Sequence, residues 1–278
     1  MSEQPTACVV GWPVAHSRSP AIHRFWLNQY GIPGEYVPVA VEPDRIAEFF
    51  RDFAASGCVG GNVTVPHKEA ASAAIVDQGA AARAIGAVNT LWIESGNLRG
   101  DNTDSLGFLA NLDDGVENWD KNPGAAIVLG AGGAARAVLF ALLERGFAPI
   151  HLVNRTLSRA EALATRFGAA IRPTGWDRME RFLGDAKILV NTTTLGMAGS
   201  APLDINLAAL PGDAIVNDLV YVPLATPLLK AARARDLAAV DGLGMLLHQA
   251  VPGFERWFGK RPIVTPELRA AILKTFEV

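Results

Sequence analysis

The chain has 278 residues, half of them hydrophobic and 19% charged, with a formal net charge of −3. That length suits two ordinary domains with sizeable cores, and the slightly acidic balance excludes nucleic acid and an anionic membrane as main partners. No apolar run approaches membrane-span length, and the five histidines and two cysteines show no metal-ligand spacing, so no metal is expected.

From the N-terminus, Met1-Ser-Glu-Gln-Pro-Thr6 lacks the basic and apolar regions of a signal peptide. Residues 7–10 read as a short strand running into Gly11-Trp-Pro-Val-Ala-His-Ser17-Arg-Ser19-Pro20. Ser19 before Pro20 marks a helix start, serine as N-cap and proline at the first helical position, with the helix over 21–30 stopped by Gly31 and Pro33. Two readings stand: both serines only cap the helix, or their hydroxyls at a positive helix end suit a carboxylate ligand. Residues 35–41 read as a strand, and 44–55 as an amphipathic helix with Ile46, Phe49, Phe50 and Phe53 on one face. Another strand follows over 58–65, with Gly60-Gly61 in it for close backbone approach. Cys8 and Cys58, both in apolar strands, read as small core residues of a cytoplasmic protein.

In Asn62-Val-Thr64-Val-Pro66-His67-Lys68-Glu69, Pro66 opens a helix to about residue 76 and puts Lys68 in its first turn. A lysine gains nothing at that positive dipole end. It is either a solvated helix-start lysine or a partly buried one placed for proton transfer. Residues 87–93 read as a strand with a polar step, Asn89, which is a structural bridge or a ligand contact because a buried amide needs partners. Gly96-Asn97 reads as a hairpin turn. Asp104 precedes a helix from about 105, as its N-cap or as a catalytic carboxylate at a domain junction, and 113–124 reads as polar loop.

The apolar run 125–129 breaks into Gly130-Ala131-Gly132-Gly133, and an apolar helix follows over 134–143, closed by Gly146. In a strand–turn–helix context, such glycines let the backbone approach a pyrophosphate that the helix N-terminus then receives. The alternative is a turn used only for helix–sheet packing. Residues 148–153 read as the next strand, ending in Asn154-Arg155-Thr156 with Arg159 close behind. NAD-selective folds place an acidic residue here for the ribose 2′-OH, so asparagine followed by arginines favours a 2′-phosphate, hence NADP, over a generic basic loop. A helix follows to 167. Strands at 188–191 and 214–216 end in Thr192-Thr-Thr194 and in Asn217-Asp218-Leu219-Val220-Tyr221. Polar residues thus collect at C-terminal strand ends, where open α/β sheets bind ligands. Asp241-Gly242-Leu-Gly244-Met245 is a sharp turn feeding a helix to about 257 that carries Gln249, and Thr265-Pro266 starts the last helix. With the nucleotide sheet complete by 241, these helices are placed back on the first domain, which puts Gln249 in the cleft.

At this point the chain resembles the shikimate dehydrogenase family over its whole length. The resemblance is carried by Gly11-x-Pro13-x-x-His16-Ser17-x-Ser19-Pro20, Asn62-Val-Thr-Val-Pro-His-Lys68, Gly86-Ala-Val-Asn89-Thr90 and Asn102-Thr-Asp104. It continues through Gly130-Ala-Gly-Gly-Ala134, Asn154-Arg-Thr156, Leu195-Gly-Met197 and Asp241-Gly-x-Gly-Met245 to Gln249. It implies reversible reduction of 3-dehydroshikimate to shikimate with NADPH, in aromatic amino-acid biosynthesis. It implies Lys68 and Asp104 as the catalytic pair, Ser17 and Ser19 helped by Tyr221 on the substrate carboxylate, and Thr64, Asn89 and Gln249 on ring oxygens. On the cofactor side it implies Gly130, Ala131, Gly132, Gly133 and Ala134 at the pyrophosphate, Asn154, Arg155, Thr156 and Arg159 at the 2′-phosphate, and Leu219 and Gly242 beside the nicotinamide. Arg24, Ala80 and Thr192-Thr-Thr194 depart from the usual pattern, and none touches the catalytic pair.

The expected architecture is α/β, an N-terminal substrate domain of residues 1–104 plus 242–278 and a Rossmann-type, doubly wound NADP domain of residues 105–241. The expected partner is a small-molecule substrate, with neither nucleic acid nor membrane, in a monomer or homodimer. The competing readings are a quinate/shikimate dehydrogenase using NAD, a methylenetetrahydrofolate dehydrogenase, and a catalytically silent NADP-binding regulator. Arg155 and Arg159 argue against the first, the serine and Asp104 pattern against the second, and Lys68 with Asp104 against the third.

Overall fold

Alternating strands and helices divide into two units in the computed structural model, one reaching Asp104 and resuming at Leu247, the other Ser105–Leu246. The structure describes residues 4–276; residues 1–3, part of the N-terminal stretch read above, lie outside them.

The first unit contains β1 (Thr6–Gly11), α1 (Ser19–Tyr30), β2 (Glu35–Ala40), α2 (Ile46–Arg51), a 3-10 turn (Phe53–Ser56) and β3 (Cys58–Val63). It continues with α3 (Lys68–Ala74), β4 (Asp77–Gln78), α4 (Ala80–Ile85), β5 (Thr90–Glu94) and β6 (Asn97–Asp101); α5 (Asp104–Gly115) leads out of it. The sheet order is β2-β1-β3-β5-β6-β4, with β1 parallel to β2 and β3, and β5 antiparallel to β3 and β6. β1 sits inside this sheet and is covered on both faces, so its apolar run is nearly continuous. Strand alternation sends Cys8 and Val10 to one core with Phe50, Val63 and Leu91, and Ala7 and Val9 to the other with Tyr36 and Trp257.

The second unit holds β7 (Ala125–Leu129), α6 (Gly133–Glu144), β8 (Ile150–Val153), α7 (Leu157–Phe167), β9 (Ile171–Thr174) and β10 (Ala186–Asn191). It ends with β11 (Ile215–Asp218), α8 (Pro227–Arg233), β12 (Ala238–Val240) and most of α9 (Leu243–His248). Its sheet is parallel throughout, in the order β12-β11-β10-β7-β8-β9. This is a doubly wound sheet whose strand order reverses between β7 and β10, and the glycine loop leaves β7 at that switch point. α10 (Val251–Phe258) and α11 (Pro266–Lys274) belong to the first unit, where Trp257 Nε1 donates to Leu91 O at 2.8 Å.

Several local expectations need correction. Ser19 is the first helical residue rather than the N-cap, which is Arg18. α3 begins at Lys68, not at Pro66, and ends at Ala74. The hairpin turns on Ser95 and Gly96, both at positive φ, rather than on Gly96-Asn97. The helix expected from 242 to 257 breaks after His248, because Pro252 in the first turn of α10 has no N–H for the preceding turn. Residues 242–246 lie with the second unit. Asn111 explains this: its Nδ2 donates to Asp241 O at 2.7 Å, and its side chain fills the space a Cβ on Gly244 would need. Among the described residues no helix is long and apolar enough to cross a membrane.

Candidate active site

Lys68 Nζ meets Asp104 Oδ2 at 2.5 Å, the lysine side chain 21% and the aspartate 8% exposed. Both readings of these residues as simple helix-start groups fail. Lys68 is half-buried against a carboxylate, not solvated. Asp104 is the first residue of α5, and its own N–H donates to Asn102 Oδ1 at 3.0 Å, so its carboxylate is free to face the lysine. A buried ion pair is tolerable only when its remaining lone pairs are satisfied. Asn89 does this, donating from Nδ2 to Asp104 Oδ1 at 2.8 Å. The Gln249 side-chain oxygen stands 3.4 Å from the same nitrogen. The break between α9 and α10 presents the Gln249 carbonyl, which accepts the Thr103 hydroxyl at 2.8 Å. Lys68, Asn89, Asp104 and Gln249 therefore form one cluster.

One backbone N–H and one hydroxyl set the direction of the Asn89 amide. Its Oδ1 accepts from Thr103 N at 2.8 Å and from the Thr90 hydroxyl at 2.9 Å, which leaves Nδ2 to face Asp104. Thr64 lies between β3 and α3, and its N–H donates to Val10 O at 2.8 Å, so this turn and the one after β1 leave adjoining strand ends. In the latter turn the Ser17 hydroxyl accepts from Ser19 N at 3.3 Å. Neither serine caps α1 in the expected way.

In the second unit, Gly130 adopts φ +101°, and a Cβ there would stand 2.8 Å from the Thr192 hydroxyl, so only glycine fits. Ala131 packs on the core below. Gly132 and Gly133 have no described atom within 4 Å of a Cβ position, and no side chain caps the start of α6 before Ala134. Open space over uncapped N–H groups fits a pyrophosphate and disfavours a glycine turn made only for packing. After β8, Asn154 Nδ2 donates to Thr156 O at 2.7 Å and folds the turn. Arg155 is exposed on it and Arg159 in the first turn of α7, and neither pairs with a described acidic side chain. Gly242 runs against the Leu219 backbone, where any Cβ would collide with the Leu219 carbonyl. Tyr221 follows in the same loop, half-buried.

Four residues of these clusters escaped the sequence reading as partners: Tyr36, Asn62, Thr103 and Asp218. Buried Asp218 accepts from Asn191 at 2.8 Å, Val220 N at 3.0 Å and Thr226 at 2.7 Å, bracing the loop that carries Leu219. Burial raises its pKa against those three donors. Its only signal in the sequence was a charge at a strand's C-terminal end.

Comparison with known proteins places this geometry. Residues 9–91 match the shikimate dehydrogenase substrate binding domain, 117–197 shikimate / quinate 5-dehydrogenase, and 242–265 the shikimate 5′-dehydrogenase C-terminal domain. The shikimate dehydrogenase (NADP(+)) of Azorhizobium caulinodans is 57% identical over 265 residues, 95% of this chain and 94% of that protein. The chain belongs to the shikimate dehydrogenase family. Shikimate 5-dehydrogenase from Thermus thermophilus, solved with NADP(H) and shikimate, superposes with a TM-score of 0.85 at 37% identity, over 98% of this chain and 99% of that one. Quinate dehydrogenase from Corynebacterium glutamicum, solved with NAD, superposes with a TM-score of 0.89 at 29% identity, over 98% and 99%. The family's substrate-domain match ends before Asp104, and its C-terminal match takes in Gly242 and Gln249.

Proposed function

We propose that this chain catalyses the reversible reduction of 3-dehydroshikimate to shikimate with NADPH, on the way to chorismate and the aromatic amino acids. The observation that carries the reading is the buried Lys68–Asp104 pair with Asn89 and Gln249 beside it. It stands in a chain with NADP-dependent shikimate dehydrogenase relatives at more than half identity.

NADP, when bound, supplies or accepts the hydride. Gly130, Ala131, Gly132, Gly133 and Ala134 hold its pyrophosphate, Asn154, Arg155, Thr156 and Arg159 its 2′-phosphate, and Leu219 and Gly242 line the nicotinamide side. Ser17 and Ser19, with Tyr221, receive the substrate carboxylate. Thr64, Asn89 and Gln249 bind ring oxygens. As the substrate carbonyl is reduced, its oxygen gains negative charge, and Lys68 Nζ gives it a proton; in the reverse direction the same nitrogen takes the hydroxyl proton. Asp104 Oδ2 holds the ammonium in place, while Asn89 keeps Oδ1 from rotating away.

The test is direct. NADPH consumption is followed with 3-dehydroshikimate, and reduction of NADP and NAD with shikimate and with quinate. Turnover confined to quinate and NAD would replace this reading by the quinate one, and no turnover with any pair would favour the silent regulator. For the carboxylate, the Ser17→Ala/Ser19→Ala double variant is expected to raise the KM for shikimate and leave NADP binding unchanged. Unaltered substrate affinity in the folded double variant removes the serines from the site.

We further propose a cytoplasmic enzyme acting as a monomer or homodimer. The free thiols of Cys8 and Cys58 support a reducing compartment. Light scattering on the purified protein decides between the two assembly states.

A further inference from the structure

We propose that Tyr36 is a positioning residue for this reaction: its hydroxyl sets the direction of a buried hydrogen-bond chain that ends on the Lys68–Asp104 pair. The inference rests on the role given to that pair above. Tyr36 lies on β2, fully buried, with its ring stacked on His23 at a centroid distance of 4.0 Å and tilted against Trp257. Burial pushes its pKa well above the usual range, so the phenol keeps its proton and remains a donor.

That proton goes to Asn62 Oδ1 at 2.6 Å. The Asn62 amide is thereby committed, and its Nδ2 faces the strand edge beyond, donating to the Asn89 carbonyl at 3.1 Å and to Thr90 Oγ1 at 3.3 Å. A hydroxyl that accepts on one side sends its own proton to another, and Thr90 sends it to Asn89 Oδ1 at 2.9 Å. Asn89 Nδ2 is left to donate to Asp104 Oδ1 at 2.8 Å, and Asp104 Oδ2 to receive Lys68 at 2.5 Å. Each donor in the series points the same way, from Tyr36 toward Asp104. Such chains polarise and stiffen one another, and a break at one end is felt at the other. Without the Tyr36 hydroxyl, the Asn62 oxygen loses its donor in a buried setting, and the amide is held at one end only.

Tyr36→Phe keeps the ring and its stacking and removes only the hydroxyl. With shikimate and NADP, kcat per NADP-binding site is expected to fall about ten-fold, with each KM within about three-fold of wild type, because a loosened catalytic pair costs the chemical step and not binding. The primary deuterium isotope effect on kcat, measured with shikimate deuterated at the carbon that gives up hydride, is expected to rise as that step becomes more rate-limiting. A tyrosine that merely supports the core lowers the number of competent sites, which alters neither kcat per site nor the isotope effect. Asn62→Asp is the second variant: it still accepts from Tyr36 but loses the Nδ2 donors, and the same pattern with a larger drop is expected. An unchanged kcat per site, or an unchanged isotope effect, in Tyr36→Phe overturns the proposal; if that variant does not fold, Asn62→Asp decides by the same readouts. Wild-type turnover measured in parallel separates the two claims, since its absence removes the reaction, while normal wild type beside unchanged variants removes only the role of Tyr36.

Discussion

Asp104 commits both carboxylate oxygens inside the chain, one to Lys68 and one to Asn89, at a position where its side chain is 8% exposed. Arg155, in the turn after β8, and Arg159, in the first turn of α7, are exposed and meet no described acidic partner. The two regions answer different demands. A proton must move along a defined direction at the moment charge develops, so its donor has to be oriented before substrate arrives. A phosphate carries its charge into the site and can gather flexible arginines around it, so little prior ordering is needed. On the proposed function, the buried, fully partnered groups serve turnover, and the exposed arginines serve affinity.

Breaking the ordered side is expected to give the largest effect. General acid–base help is worth roughly 10²–10⁴-fold, so Lys68→Ala should lower kcat by about that range with NADPH affinity nearly intact. Asp104→Asn should lower it as well. The double variant should lose less than the product of the two singles, because the residues act as a unit. Steady-state kinetics with fluorescence titration of NADPH read both quantities. Near-normal kcat with a raised shikimate KM would make Lys68 a binding residue and send the search for the proton to water or Tyr221.

The ordered side also carries a liability in acid. His23 is fully buried behind Tyr36, stacked on it and on Phe254, and neither ring nitrogen has a hydrogen-bond partner among the described residues. Burial lowers its pKa to about 3, well under the ordinary histidine value of 6.5. The unfolded chain therefore binds a proton that the folded chain refuses between those two values. Stability contributed by the neutral ring is whole above pH 6.5 and is lost as pH falls toward 3, at up to about 1.4 kcal/mol per pH unit. Replacing His23 with Phe keeps an aromatic ring in the stack and removes that slope. Urea unfolding from pH 7 to pH 4.5 should show the variant losing less stability than wild type over the interval. Parallel curves for the two proteins would mean that His23 is protonated or solvated in the fold.

Most of the second unit was legible because its central strands are unbroken apolar runs that end in polar residues, as in Ile188 to Asn191 and Ile215 to Asp218. β9 was not, since Ile-Arg-Pro-Thr buries only its two end residues at a sheet edge and has no apolar run to detect. The broken helix at Gln249 was written in Pro252, a residue equally at home in the first turn of a new helix. Lys68, Asn89 and Asp104 stood out individually as polar residues in awkward places, but that they meet is a property of strand pairing, not of spacing. Tyr36 was invisible for the same reason. It sits in a weakly alternating strand, and its importance comes from the register that sets β2 beside β1 and β1 beside β3.

The open side is sharpest to probe through the choice between cofactors. NADP and NAD differ by one phosphate, and the proposed function assigns that phosphate to Arg155, which is exposed and pairs with no described acidic side chain. Arg155→Ala is expected to weaken NADP by about ten-fold or more, the worth of one charge-assisted hydrogen bond, with little change for NAD. Exposure makes the interaction sensitive to salt, so the wild-type preference for NADP should shrink as ionic strength rises, while that of the variant should hardly move. The catalytic corner should not notice: kcat at saturating NADP should stay near the wild-type value, because an interaction made equally before and during hydride transfer alters binding alone. Dissociation constants for both cofactors at low and high salt provide the check. Equal losses for NADP and NAD, independent of salt, would show that Arg155 holds the turn after β8 in shape, and the preference for the phosphate would then have to come from Arg159.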